Sequence, residues 1–146
     1  MRIPSLVAAA ALTLSLPSLA LACENAHAAE AKKASFGMVT VPQLASFQKA
    51  GKVTVLDANM TDTREKYGVI PGATLLTSMS KYDIAKELPT AKDQKLVFYC
   101  ANTQCGASHT AAERAMGAGY TDVSVLPDGI QGWVKAGQKV DKTPRS

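Results

Sequence analysis

Short β-branched runs alternating with helix-forming stretches predict an α/β domain built on a mainly parallel sheet. Three observations carry that prediction. The runs at 53–56, 74–76, 95–99 and 122–126 are apolar without alternation, as strands covered on both faces are. The segments between them are long enough for the helical crossovers that parallel strands need. Finally, 47% of the 146 residues are apolar and 19% charged, a balance that fills one packed core and excludes a disordered chain.

Residues 36–39 form a short first strand. Thr40-Val41-Pro42 then reads as an N-cap with proline just inside, opening a helix to about Lys49. Val41, Leu44, Ala45 and Phe47 give that helix an apolar face, and Gly51 ends it. The run 53–56 is a strand that stops at Asp57. Residues 61–67 make a short polar helix or turn. Ile70-Pro71-Gly72-Ala73 is a tight turn feeding Thr74-Leu75-Leu76, a second buried strand. Ser80 caps a helix through Leu88, with Asp83 at the capping-box position. Residues 95–99 form the strongest strand, which halts at Cys100. An Ala-rich helix over 107–118 is closed by Gly119. A strand at 122–126 and a last helix at 129–136 complete the domain, with Trp133 as core packing.

The first 28 residues look like an address rather than structure. An apolar run broken by Pro17 is too short to span a bilayer, which takes about 20 uninterrupted residues. Small residues at Ala20 and Ala22, or at Ala26 and Ala28, offer two cleavage sites, so residues 1–28 are expected to be a signal peptide and the protein periplasmic or secreted. Cleavage after Ala22 would leave Cys23 first and open to lipid attachment, the one route to a membrane. Residues 29–36 read as a linker and 37–142 as the folded domain. The net charge of +4 is spread along the chain, and only 5% of residues are aromatic, which argues against nucleic-acid partners. Oligomeric state is not legible.

In open parallel sheets, chemistry gathers where strand ends lead into helix N-termini. Cys100 stands at such an end. The loop after it, Ala101, Asn102, Thr103, Gln104, Cys105, Gly106 and Ala107, leads into a helix that opens near Ser108. Backbone N–H groups and the helix dipole at that place favour a thiolate and cradle an anion. The alternative is that Cys100 is a buried apolar filler.

Val53-Thr54-Val55-Leu56-Asp57, Gly68-Val69-Ile70-Pro71-Gly72-Ala73, Phe98-Tyr99-Cys100, Ala118-Gly119-Tyr120 and Asp128-Gly129-Ile130-Gln131-Gly132-Trp133 follow one another in the order and spacing of a rhodanese domain. The chain resembles that family from about Val39 to Val140. The resemblance implies a five-stranded parallel sheet with helices on both faces, and Cys100 as the cysteine that carries a persulfide from a sulfur donor to an acceptor. Several positions depart from the family pattern. Asn59 stands where an Arg is usual, Val69 where a His is usual, and the loop after Cys100 holds no cation and is about two residues longer. Related phosphatases carry His before the cysteine and Arg closing the loop, whereas this chain has Tyr99 and Ala107 or Ser108. Phosphate hydrolysis therefore finds no support. Without a loop arginine, a dianion such as thiosulfate loses its bidentate partner.

The loop offers instead a second cysteine, Cys105. It could resolve a mixed disulfide or persulfide formed on Cys100, point into the core, or pair with Cys100 in a structural disulfide. His109 could donate to an anion in the loop or be a solvated first-turn residue. Cys100, Cys105 and His109 do not match zinc spacings, so no metal is expected, nor any cofactor. Asn102 suits a backbone position that turns N–H groups inward, and Asp57 could hydrogen-bond loop amides or cap the turn after it. The expectation is a sulfurtransferase that takes sulfur from a small donor anion and passes it to a thiol or cyanide-like acceptor. The alternatives are a thiol–disulfide or arsenate-type reductase using Cys100 with Cys105, and a non-catalytic binding module.

Overall fold

A computed structural model describes residues 35–142. The expected signal peptide, Cys23 as a candidate for lipid attachment, and residues 29–34 of the expected linker lie outside the described residues. Five parallel strands form one sheet in the order β1-β5-β4-β2-β3. They are β1 (Gly37–Met38), β2 (Thr54–Asp57), β3 (Thr74–Leu75), β4 (Leu96–Tyr99) and β5 (Val123–Leu126). The helices are α1 (Val41–Lys49), α2 (Thr61–Tyr67), α3 (Ile84–Glu87), α4 (Ala107–Gly117) and α5 (Gly129–Lys135). The five-stranded α/β architecture is the one expected.

Alternate residues of the central strands feed two cores, because successive side chains leave a strand on opposite faces. Leu56, Phe98 and Val125 pack under Ala111, Ala112 and Ala115 of α4, together with Leu88 and Tyr82. On the other face Val55, Val97 and Tyr99 pack with Leu44 of α1 and Ile130 and Trp133 of α5. Small alanines let α4 lie close to the sheet. The Trp133 indole also donates to the Lys139 carbonyl at 2.8 Å, tying down the C-terminal strap.

α1 begins as its sequence dictates. The Thr40 side chain accepts from the Gln43 N–H, Gln43 answers through its own side chain, and Pro42 sits in the first turn.

Two elements differ from expectation. The run at 74–76 was expected to be a buried strand, but β3 lies at the sheet edge with β2 as its neighbour. Leu75 is 39% exposed there, and only Leu76, just past the strand, is buried. Burial on both faces needs neighbours on both sides, and hydropathy does not report position in the sheet. The helix after it is also shorter than expected. Asp83, rather than Ser80, is the N-cap, and its carboxylate accepts from Ala85 and Lys86 N–H. Glu87 then takes the N–H and hydroxyl of Thr77, each at 2.8 Å, and the Asp83 N–H at 2.7 Å. That clasp holds residues 77–83 as an ordered loop.

Candidate active site

Strand β4 runs between β2 and β5 and delivers Cys100 to the C-terminal edge of the sheet, where parallel sheets gather their chemistry. The carbonyls of Cys100 and Ala101 accept from the N–H groups of Ile130 and Gln131, at 2.9 and 3.0 Å. The base of the loop is thus clamped to the start of α5. Gly129 makes the clamp feasible: its φ is +58°, and a Cβ there would strike the Cys100 carbonyl and the Ala101 backbone. Asn102 folds the loop tip, its side chain accepting from the Gln104 N–H and its carbonyl from the Cys105 N–H, both at 3.0 Å. Gly106 then starts α4.

This path sorts the two thiols. Cys100 is buried, 1% exposed. Its sulfur lies 3.0 Å from the Cys105 carbonyl, to which it donates, and 3.3 Å from the Ser108 hydroxyl. Burial and contact with the Cys105 side chain push its pKa up, although the hydroxyl and N–H of Ser108 work against the rise. Cys105 is half-buried and lines a cavity of about 420 Å³. Its burial raises its pKa, but the neighbouring Cys100 thiol and the N–H groups of Ala101 and Ala107 outweigh that and hold it below the usual thiol value. Cys105 also sits just before the N-terminus of α4, whose dipole favours negative charge.

The loop expected to cradle an anion on Cys100 therefore divides. The N–H groups of Gln104 and Cys105 are spent on Asn102, while those of Ala101 and Ala107 lower the pKa of Cys105 and that of Ser108 acts on Cys100. Thr103 is exposed at the loop tip. His109 packs edge-on against Phe36, with ring centroids 5.1 Å apart, and does not line the cavity.

Asp57 is brought to the end of β2 but engages no amide of the cysteine loop. Fully buried, it accepts from the Asn59 N–H at 2.7 Å and from the Tyr99 hydroxyl at 2.8 Å. That hydroxyl accepts in turn from the Ile70 N–H at 3.1 Å. Burial, followed by the Asp57 charge, drives the Tyr99 pKa far upward, so the phenol stays neutral and remains a donor. Arg64 lies 3.4 Å from Asp57 through Nε, and its Nη2 donates to the carbonyls of Asp57 and Leu76. This arginine, with Tyr99 and Gly129, was missed as a site residue, because a cation on a short polar helix reads as solvated surface. A partial signal was present in the buried Asp57 that ends a strand, which needs a counter-charge.

The cavity beside Cys105 is walled by Ala58, Asn59, Met60, Arg64, Leu76 and residues 77–80. Asn59 Nδ2 is buried in that wall without a protein acceptor. A larger groove of about 720 Å³, lined by Tyr82, Lys92, Arg114 and Tyr120 among others, lies elsewhere and contains no cysteine.

Residues 40–136 match the family model of the rhodanese-like domain. No curated protein matches the chain. Among solved structures, the rhodanese-like domain of an Anabaena sp. protein superposes with a TM-score of 0.61 at 21% identity, over 77% of this chain and 87% of that one. The human single-domain sulfurtransferase gives 0.55 at 23% identity, over 69% of this chain and 97% of that one. A Rhodopseudomonas palustris protein of unknown function, described as a possible tyrosine phosphatase, gives 0.60 at 29% identity, over 73% of this chain and 85% of that one.

Proposed function

The chain belongs to the rhodanese-like domain family, and from that premise we propose that it is a sulfurtransferase whose Cys100–Cys105 loop carries sulfur as a persulfide, received from the donor by Cys105. The observation that carries this reading is the sorting of the two thiols. The sequence favours Cys100, at the family position. The geometry supports Cys105, which lines a cavity and whose pKa is lowered by neighbouring donors, the Ala101 and Ala107 N–H groups among them. A thiolate is the attacking form, and those donors stabilise it.

In the forward step the Cys105 thiolate attacks the outer sulfur of a donor. The bond between that sulfur and the rest of the donor breaks, and the leaving group departs with the electron pair. The terminal sulfur of the persulfide then bears the negative charge, which the Ala101 and Ala107 N–H groups and the α4 dipole can share. A small thiol entering the cavity takes the terminal sulfur and restores Cys105. Arg64 is the cation of the cavity wall, and it is already committed to Asp57 and two carbonyls. A singly charged organic persulfide suits such a site better than the thiosulfate dianion, which gains most from a free guanidinium. Within the same reading the protein works outside the cytoplasm, as its leader-like first 28 residues suggest.

The test is intact mass after incubating reduced protein, in a Cys23→Ser background, with glutathione persulfide. Cys100→Ser should gain one sulfur atom that cyanide removes as thiocyanate, and Cys105→Ser should gain none. Loading of Cys105→Ser with no loading of Cys100→Ser would return the role to Cys100. Absence of added sulfur from every form, together with no release of sulfide, would overturn the sulfurtransferase reading.

A further inference from the structure

Cys100 has no task in the transfer just described, yet its sulfur lies 3.0 Å from the carbonyl of the residue that performs it. It is 1% exposed, so a donor in the cavity does not reach it. Its thiol donates to that Cys105 carbonyl, which sets it beside the other cysteine, with the Ser108 hydroxyl at 3.3 Å behind it. Both cysteines are free thiols. The loop between them, folded by Asn102, holds the two side chains together from opposite sides, Cys105 toward the cavity and Cys100 toward the core. A buried thiol kept for packing alone would need neither polar partner.

We propose that Cys100 is an internal resolving thiol: it attacks the Cys105 persulfide, releases the carried sulfur as hydrosulfide and leaves a Cys100–Cys105 disulfide. The inference rests on the persulfide reading above. The new bond joins the Cys100 and Cys105 sulfurs, and the bond from the Cys105 sulfur to the terminal sulfur breaks. The terminal sulfur leaves with the electron pair and takes up the proton that Cys100 gives up, so it departs as HS⁻. It is reduced by two electrons, which the two cysteines supply on becoming a disulfide. An external dithiol then reduces the disulfide by exchange and restores both thiols. The protein would thus reduce sulfane sulfur to sulfide at the expense of a dithiol, and its product need not be a second persulfide.

Burial suits Cys100 to this order of events. A thiol with raised pKa stays protonated and silent toward donors in the cavity. The persulfide is the electrophile delivered next to it. Ser108, whose hydroxyl lies 3.3 Å from the Cys100 sulfur, is placed to support the thiolate as it forms.

Glutathione persulfide is a suitable probe, since transfer from it leaves glutathione rather than sulfide. The wild-type pair, in the Cys23→Ser background, should release one hydrosulfide per chain and lose the mass of two hydrogens. Peptide mapping should place the disulfide between Cys100 and Cys105, and dithiothreitol should reset the cycle. Cys100→Ser should load sulfur but release no sulfide, and that loading itself shows that the variant is folded. If the wild-type pair holds its persulfide as long as Cys100→Ser does, the resolving role is overturned while the sulfur-carrier reading stands. If neither form takes up sulfur and no sulfide appears, the sulfur-carrier reading fails and this inference falls with it.

Discussion

Tyr99 is the residue on which the interior of the site hangs. Its hydroxyl donates to a fully buried carboxylate and accepts from the Ile70 amide, linking β4, the end of β2 and the turn before β3. Tyr99→Phe keeps the ring, leaves the Ile70 N–H buried without its partner and takes one donor from Asp57, which keeps Asn59 and Arg64. A buried group left unpaired costs about 1–3 kcal/mol. Urea unfolding of the variant should show that loss as a lower midpoint with an unchanged slope. A change under about 0.5 kcal/mol, the scatter of an inconsequential surface substitution, would mean the network relaxes without it. The two cysteines teach a related lesson about legibility. Both were evident in the sequence, as were the loop and its position after a strand. Which one meets the cavity was not, because that depends on where Asn102 folds the loop tip and on which amides remain unspent. Arg64 was illegible for a similar reason: its partners are carbonyls of β2 and of the residue after β3, far away along the chain.

Among the elements, α5 shapes the site without contributing a side chain to the cavity. Its first N–H groups hold the Cys100 and Ala101 carbonyls, and Gly129 allows the approach. Gly129→Ala would need φ near +58° in a residue with a Cβ and would push that Cβ into the Cys100 carbonyl. The expected result is a thermal midpoint lowered by several degrees, with sulfur loading of Cys105 reduced at least tenfold. Full loading at wild-type stability would show that the clamp is dispensable. The expected boundaries of α1, β2, α2, β4, α4 and β5 fall within about two residues of those found, since each rests on a local signal such as a cap, a glycine or an unbroken apolar run. β3 matches in its bounds but not in its burial, and α3 departs in its start. The first is decided by its place at the sheet edge. The second begins late because Glu87 reaches back to Asp83 and Thr77.

For the molecule as a whole, the sheet order puts the ends of β2, β4 and β3 side by side, so one edge collects Asp57, Cys100 and the wall of the cavity. That convergence follows from parallel topology and was legible as a fold class before any coordinate. The carbonyls at the start of the loop have a further consequence. Those of Cys100, Ala101, Asn102, Cys105 and Gly106 are all engaged, by α5, by the loop itself or by Thr110 of α4. Oxygen dipoles are therefore tied down, and the proposed site would attract an anion through oriented amides and the α4 N-terminus rather than through a formal charge. Fixed dipoles at contact distance are felt over a few ångströms, well inside the roughly 8–10 Å over which dissolved ions screen. Sulfur uptake from glutathione persulfide should accordingly change less than twofold between about 20 and 500 mM sodium chloride (about a fivefold change in Debye length), whereas a site relying on a surface arginine would slow several-fold. A steep fall with salt would reveal a mobile cation at work. A flat profile would mark a catalyst indifferent to the salinity of its surroundings, a property that suits the proposed work outside the cytoplasm.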